Sequence, residues 1–412
     1  MDKKGMVIVG AGEAGARAAA EFRARGWTGE VTLIGEERHA PYERPPLSKN
    51  QLVEANETDP VTILNEDRLE QLNIAFVRGD GAVRIDRANR AVVLASGREV
   101  PYGKLLLATG ARSRKLAVAG DAADDLHYLR TYADALRLRE RLTPGARVAI
   151  IGGGFIGLEV AASAVANGCE VTLVEVAPRI LMRGVPEPVA AAVAERHREA
   201  GVSFRVGVMI DSVNRDGEAY EIRLADGTSV GCDVVVAGVG AVPETTLAAA
   251  CGLAVDNGIQ VDERLRTSDP DIYAAGDCCS FPHPLYGGKR MRLEAWRNAQ
   301  DQGTHAAGSL LGDDEAYAAV PWFWSDQYDL TLQVAGMADP DNAIVVRDLG
   351  EAGKLYFHLD GEGRLVSVSG IGPTGAFAKE FRLAEMLVGK RARPAAEELA
   401  DPDVRLKGLL KE

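Results

Sequence analysis

Short runs of aliphatic and β-branched residues alternate with alanine-rich stretches along most of the chain. Gly5-Met6-Val7-Ile8-Val9 reads as a strand, followed by a glycine turn and an Ala/Arg-rich helix to about Arg25. A second strand, Val31-Thr32-Leu33-Ile34, comes next. Strands that are apolar throughout, separated by helices, belong to a parallel sheet covered on both faces. The same order returns at Arg147: a strand from Val148 to Ile151, a glycine turn, a helix to about Asn167, and a strand from Val171 to Val174. Two copies about one domain's length apart indicate an internal duplication.

Beyond Pro321 the period changes. Alternating segments at 330–334, 343–346, 354–359 and 364–371 are broken by Asp339-Pro340 and Asp360-Gly361. Such a pattern predicts an antiparallel sheet. A helix from about Thr374 to Leu387 is expected to pack on it. The fold class expected is α/β, with two dinucleotide-binding domains and a C-terminal α+β domain. Residues 112–120 and Val242-Pro243 are the expected crossings between domains.

The glycine turns carry the first chemistry. Gly10-Ala11-Gly12-Glu13-Ala14-Gly15 and Gly152-Gly153-Gly154-Phe155-Ile156-Gly157 each lie between a strand and a helix. The first glycine permits the turn, the second lets a pyrophosphate approach the backbone, and the third lets helix and strand pack. The phosphates then meet free N–H groups at the positive end of the helix dipole. Glu36 and Glu175 follow the next strands, where a carboxylate accepts hydrogen bonds from a ribose. Two complete Rossmann-like fingerprints imply two dinucleotides, and electron transfer between them. A 2′-phosphate beside Glu175 would set like charges ~4 Å apart, at a cost of roughly 4 kcal/mol for an effective dielectric of about 20. Arg179 and Arg183 would offset part of that cost. The balance favours NADH.

Composition narrows the class. The 412 residues are 46% apolar and 26% charged, with 45 glycines, which excludes a disordered or collagen-like chain. A net charge of −13 argues against a general nucleic-acid binder. Five cysteines without a CxxC pair suit a reduced, cytoplasmic setting. No targeting segment is expected ahead of Met6, and no apolar run approaches the ~18 residues of a membrane span. The six histidines show no metal-ligand spacing, so no metal is expected.

Further segments identify a resemblance. Tyr102-Gly103-Lys104-Leu105-Leu106-Leu107-Ala108-Thr109-Gly110 reads as a strand entering a small-residue turn, and the segment 267–277 ends a strand in Gly276-Asp277. With the two fingerprints, these resemble FAD- and NAD(P)-dependent reductases of the glutathione-reductase fold. Three other stretches are similar to the FAD-dependent ferredoxin reductases of bacterial oxygenase systems. They are Pro41-Tyr42-Glu43-Arg44-Pro45-Pro46-Leu47-Ser48-Lys49, Glu294-Ala295-Trp296-Arg297-Asn298-Ala299-Gln300, and Pro321-Trp322-Phe323-Trp324-Ser325-Asp326-Gln327-Tyr328.

That resemblance covers essentially the whole chain. It implies an FAD-binding domain in two parts, 1–112 and 243–320, an NAD-binding domain at 113–242, and a C-terminal domain at 321–412. By the same resemblance, Gly10, Gly12, Glu13, Ala14, Gly15 and Glu36 bind cofactor, as do Arg44, Pro45, Lys49, Ala108, Thr109, Gly110 and Arg130. Gly276, Asp277, Glu294, Ala295, Trp296 and Trp324 complete that group. Gly152, Gly154, Phe155, Ile156, Gly157, Glu159, Glu175, Arg183 and Gly240 belong to the second nucleotide. Lys49, paired with Glu159, is placed near flavin N5, and Trp324 or Trp322 lies on the way to an iron–sulfur partner. Lys49, Glu159, Trp324 and Trp322 form the expected catalytic set.

Disulfide reductases of this fold need a reactive cysteine pair, and the chain has no CxxxxC after its second strand. Cys278-Cys279 read as two buried thiols. The expected activity therefore passes a hydride from NADH to FAD and electrons singly to a [2Fe-2S] ferredoxin. That ferredoxin would serve a cytochrome P450 or a Rieske-type ring-hydroxylating dioxygenase. An NADH oxidase or a quinone or dye reductase shares both glycine loops and stays open, while a redox-controlled binding protein is disfavoured. Lys289, Arg290, Arg292 and Arg297 are expected to form part of a docking face for an acidic ferredoxin. Monomer and homodimer are equally open.

Overall fold

A computed structural model describes residues 5–53, 59–118, 120–122, 124–182 and 184–411. The chain forms two compact units. One comprises Met1–Glu43, Pro60–Arg112 and Val242–Pro321; the other comprises Arg44–Asp59, Ser113–Ala241 and Trp322–Glu412.

The first unit is built on a five-stranded sheet in the order Ile272–Ala274, Lys104–Leu107, Met6–Val9, Val31–Gly35, Ala75–Arg78. Every pairing in it is parallel. Met6–Val9 and Lys104–Leu107 lie at its centre, and Ile8, Leu105, Leu106 and Leu107 have no exposed surface. Helix Glu13–Ala24 buries an alanine-rich face made by Ala14, Ala16, Ala18 and Ala19. Those small side chains let helix Trp296–Leu311 come close: a Cβ on Gly303 would lie 2.3 Å from the Ala14 carbonyl oxygen. The unit also holds a three-stranded antiparallel sheet, Ala82–Asp86, Ala91–Leu94 and Glu99–Pro101, and a small sheet of Ile259–Gln260, Cys279–His283 and Lys289–Met291.

In the second unit a four-stranded parallel sheet runs Ser203–Val206, Glu170–Glu175, Arg147–Ile151, Val234–Ala237. Helix Phe155–Ala166 follows its central strand. An antiparallel meander, Ile210–Asp216, Ala219–Leu224 and Ser229–Cys232, buries Val213, Ile222 and Leu224 against Ala149, Ile151 and Val235.

The unit also holds a five-stranded antiparallel sheet ordered Trp322–Gln327, Leu330–Gly336, Leu365–Pro373, Lys354–Leu359, Ala343–Asp348. Helix Ala378–Lys390 turns Phe381, Ala384, Leu387 and Val388 into the interior. It starts four residues later than its sequence pattern suggests, because the strand before it continues to Pro373. Arg347, only 1% exposed, donates to the carbonyls of Leu399, Asp401, Pro402 and Val404 and ties down the last turns of the chain. No helix among the described residues is long and apolar enough to cross a membrane.

Candidate active site

Each unit carries one glycine loop, and the loops divide their glycines in the same way. A Cβ on Gly10 would lie 2.1 Å from the Ala108 carbonyl oxygen, and one on Gly15 1.9 Å from that of Gly10. In the other unit a Cβ on Gly152 would meet the Gly238 oxygen at 2.4 Å, and one on Gly157 the Gly152 oxygen at 2.1 Å. These four glycines are required by the protein's own packing. The middle ones are not: no atom lies within 4 Å of a Cβ on Gly12 or Gly154, and their φ values, −81° and −83°, suit any residue. A smooth backbone there serves something brought close from outside, as a pyrophosphate requires. Gly12 and Gly154 also cap their helices without a side-chain bond, leaving the helix N–H groups for phosphate oxygens. Both loops therefore fit a dinucleotide.

Around the first loop, Gly276 adopts φ +83°, with its Cβ direction 3.1 Å from the Ala14 side chain. The buried Gln302 holds this turn by accepting from the Gly276 N–H at 2.8 Å and the Cys279 thiol at 2.9 Å. Asp277 is thereby fixed beside the loop. Ala108 donates its N–H to Val9, Thr109 its hydroxyl to the Glu244 carbonyl at 2.6 Å, and Gly110 accepts from the Glu244 N–H. Burial raises the Glu13 carboxyl above its ordinary value, and Arg17, at 2.7 Å, opposes the rise. Trp296, at the start of its helix, is among the groups that lower it. Glu294 pairs with Arg292, Ala295 is the helix N-cap, and Glu36 is exposed.

Around the second loop Glu175 is held by backbone N–H groups on both oxygens, from Gly153 at 2.6 Å and Ala177 at 2.7 Å. Its carboxylate is thus held at the loop's edge. Arg179 spends its guanidinium on the carbonyls of Ile180, Leu181, Met182 and Val185. It is not free to answer a 2′-phosphate, contrary to the sequence expectation. Arg183 lies outside the described residues. Gly240, at φ +103°, accepts from the Arg114 N–H; Ile156 is half exposed at the helix start.

The second unit also gathers Arg44, Pro45, Lys49, Arg130 and Glu159. Pro45–Ser48 is a single 3-10 turn, which the two prolines favour. Lys49 Nζ lies 2.9 Å from Glu159 Oε2 and 3.2 Å from the Pro45 carbonyl. Arg44 donates to the Arg130 carbonyl at 2.5 Å. Glu159 is 4% exposed, a costly place for a carboxylate unless its oxygens are filled. They are: Ser48 donates to Oε2, and Ser325 donates to Oε1 at 2.6 Å.

Comparison with known proteins bears on both halves of the chain. The sequence pattern of the pyridine nucleotide-disulphide oxidoreductases matches residues 4–303, and that of a reductase C-terminal domain matches residues 322–410. The ferredoxin–NAD(+) reductase component of the anthranilate 1,2-dioxygenase system of Burkholderia cepacia is 41% identical over 98% of each chain. The chain belongs to the pyridine nucleotide-disulphide oxidoreductases, in the group of ferredoxin reductase components.

Among solved structures, the ferredoxin reductase for the CYP199A2 system of Rhodopseudomonas palustris matches with a TM-score of 0.92 at 38% identity. That match covers 98% of this chain and 99% of the other. The covalent putidaredoxin reductase–putidaredoxin complex matches with a TM-score of 0.92 at 36% identity, over 99% and 98%.

In this ferredoxin-reductase-type chain the C-terminal edge strand is two-faced, as strand alternation requires. Phe323 packs on Phe155 at 4.8 Å, Ser325 reaches Glu159, and Gln327 reaches His197 at 2.7 Å. The intervening Trp322 and Trp324 stack at 5.2 Å, and the Trp324 indole N–H donates to Asp326 at 3.0 Å.

The basic segment runs from strand Lys289–Met291 through an irregular stretch at 292–295 into the start of helix Trp296–Leu311. Arg290 there donates to the Val261 and Ser280 carbonyls, Arg292 pairs with Glu294, and Arg297 lies 3.6 Å from Asp301. Cys278 and Cys279 are unbonded to each other, fully buried, and raised in pKa by burial, which makes them poor nucleophiles. No cluster of three metal-ligating side chains occurs among the described residues.

Sequence reasoning missed Ser48, Gln302, Ser325, Gln327 and His197 as site residues. Ser48, Ser325 and Gln327 lay inside the quoted motifs. Gln302 and His197 had no local signal, since their partners come from distant segments.

Proposed function

We propose that the protein is a cytoplasmic, NADH-dependent FAD enzyme that reduces a [2Fe-2S] ferredoxin serving a cytochrome P450 or a ring-hydroxylating dioxygenase. The observation that carries this reading is the pair of glycine loops, each with a middle glycine that the fold itself does not need. Full-length similarity to a dioxygenase-system ferredoxin–NAD(+) reductase component, C-terminal domain included, supports the ferredoxin over a small-molecule acceptor.

FAD, when bound, supplies a centre that accepts a hydride and gives up electrons one at a time. The chain's own tasks are to bind, orient and charge. The helix starting at Glu13 holds the FAD pyrophosphate, and Asp277 accepts from the ribityl chain. The helix starting at Phe155 holds the NADH pyrophosphate, and Glu175 accepts from its ribose and rejects a 2′-phosphate. Lys49 is the cation that favours negative charge on the reduced flavin, and Glu159 holds that cation in place. Trp322 and Trp324 stand on the exit route of the electrons.

Purified protein should be yellow, bleach with NADH under anaerobic conditions, and reduce cytochrome c only when a suitable [2Fe-2S] ferredoxin is added. Cytochrome c reduction that ignores every ferredoxin tried, with fast turnover on quinones, would replace this reading with the small-acceptor one.

A further inference from the structure

Glu159 is the end of a longer chain of hydrogen bonds. Its Oε1 takes the Ser325 hydroxyl at 2.6 Å. Ser325 Oγ in turn accepts from Gln327 Nε2 at 2.9 Å, which leaves Gln327 Oε1 facing His197 Nε2 at 2.7 Å. A carbonyl oxygen only accepts, so His197 must carry its proton on Nε2 and present a bare Nδ1. Tyr328 O–H lies 3.1 Å from Nδ1 and fills it. All four links therefore point the same way, from Tyr328 through His197, Gln327 and Ser325 to the carboxylate. His197 has no exposed surface and Ser325 and Gln327 are buried, so the middle of the line runs through the interior, with Tyr328 partly exposed at its outer end.

This polarity has a consequence at the other oxygen. With Oε1 occupied, Oε2 alone receives Ser48 and Lys49. A carboxylate with one empty oxygen is free to turn and share its donors between both; this one has a single orientation open to it. The cation's place is set by a serine 166 residues further along the chain from Glu159.

We propose that Ser325, Gln327 and His197 are positioning residues of the hydride-transfer step: a one-directional donor chain from the C-terminal domain that fixes the orientation of Glu159 and, through it, the ammonium group of Lys49. The proposal rests on the NADH–FAD reading above. It gives the C-terminal domain a part in the NADH half-reaction, on the opposite face of the strand that carries the two tryptophans.

The experiment compares Ser325→Ala, Ser325→Thr and Gln327→Glu holoenzymes with the unmodified protein by anaerobic stopped-flow and by potentiometry. Ser325→Ala empties Oε1. Gln327→Glu keeps the shape but cannot donate, so it draws the serine hydroxyl to itself. Both should lower the limiting rate of flavin reduction about tenfold, as expected for one lost hydrogen bond to a charged group, with the NADH dissociation constant changed less than about twofold. Both should also displace the FAD couple toward the oxidised form by about tenfold, or roughly 30 mV for two electrons. Ser325→Thr, which keeps the hydroxyl, should restore both values.

A folded, FAD-loaded Ser325→Ala protein with unchanged rate and potential overturns the proposal. So does a Ser325→Thr protein as impaired as Ser325→Ala, because the hydroxyl is then not what matters. Failure of the unmodified protein to bind FAD or to bleach with NADH strikes instead at the reading beneath it.

Discussion

Lys49 and Glu159, 110 residues apart in sequence, meet at 2.9 Å with the carboxylate 4% exposed and the ammonium 21% exposed. The asymmetry is informative. A buried acid with a partly exposed cation suits a site where the cation serves something outside the pair and the acid serves the cation. Replacing Lys49 by Met removes the charge and keeps the apolar stem. Flavin reduction by NADH should slow by about a hundredfold, the low end of the range seen for loss of one electrostatic stabiliser. The uncompensated acid should also lower stability by roughly 3 kcal/mol. Stopped-flow at saturating NADH and urea unfolding measure the two effects separately. Unchanged reduction rates would remove Lys49 from the catalytic set.

Glu175 is the residue proposed to select the nicotinamide. Its carboxylate is clamped by two backbone N–H groups, so it cannot swing away from a 2′-phosphate, and Arg179 is occupied by four carbonyls. The kcat/KM for NADH should exceed that for NADPH by at least about a hundredfold, less than the full penalty of roughly 4 kcal/mol allows. Glu175→Gln keeps one acceptor and drops the charge, and should narrow the ratio to about tenfold or less. A native preference for NADPH would refute the assignment.

What the sequence disclosed and what it hid have separate physical causes. Both glycine loops and the strands and helices that flank them were legible, because such a turn is a local object whose parts follow one another along the chain. The C-terminal strands were legible from their alternation. Helix Trp296–Leu311 was not: its buried face is made of small and polar residues, Asn298, Ala299, Gln302, Gly303, Ala306, Ala307, Gly308 and Ser309, with Leu310 its one large apolar side chain. It is buried through close backbone contact at Gly303, which hydropathy does not report. Gln302 and His197 stayed hidden for a related reason. A buried polar residue is defined by its partner, and Gly276 and Gln327 are supplied by other segments. The basic stretch was legible as charge, but not the bonds that hold it: Arg290 donates to two backbone carbonyls and Arg292 pairs with Glu294.

The stacked Trp322 and Trp324 yield a test of electron exit. Their rings sit 5.2 Å apart at 23°, on the strand face away from Glu159. Alanine at either position should leave NADH-dependent dye reduction within about twofold while ferredoxin-dependent turnover falls by about tenfold or more, as for loss of a buried aromatic anchor. The residue with the larger loss is the one on the electron path. Equal retention of ferredoxin turnover in both variants would exclude the pair.

His358 links the C-terminal sheet to acid stability. It lies on strand Lys354–Leu359, 4% exposed, and burial lowers its pKa to about 4. An unfolded chain would titrate it near 6.5, so as pH falls the unfolded state takes the proton first. Stability from the neutral ring is therefore complete above about pH 6.5 and is lost progressively as pH falls toward 4, by up to about 3 kcal/mol. His127, His197, His283 and His305 are lowered in the same direction by burial and steepen the loss. Urea midpoints taken at about pH 7 and pH 5 should drop markedly for the native chain. In His358→Leu the drop should shrink by about 2 kcal/mol, one proton's share over that interval. The variant also removes an Nε2 atom that has no hydrogen-bond partner, so it should not be weaker at pH 5 than the native protein. An identical drop in both proteins would show that His358 stays neutral in the unfolded chain as well, or is reached by solvent in the folded one.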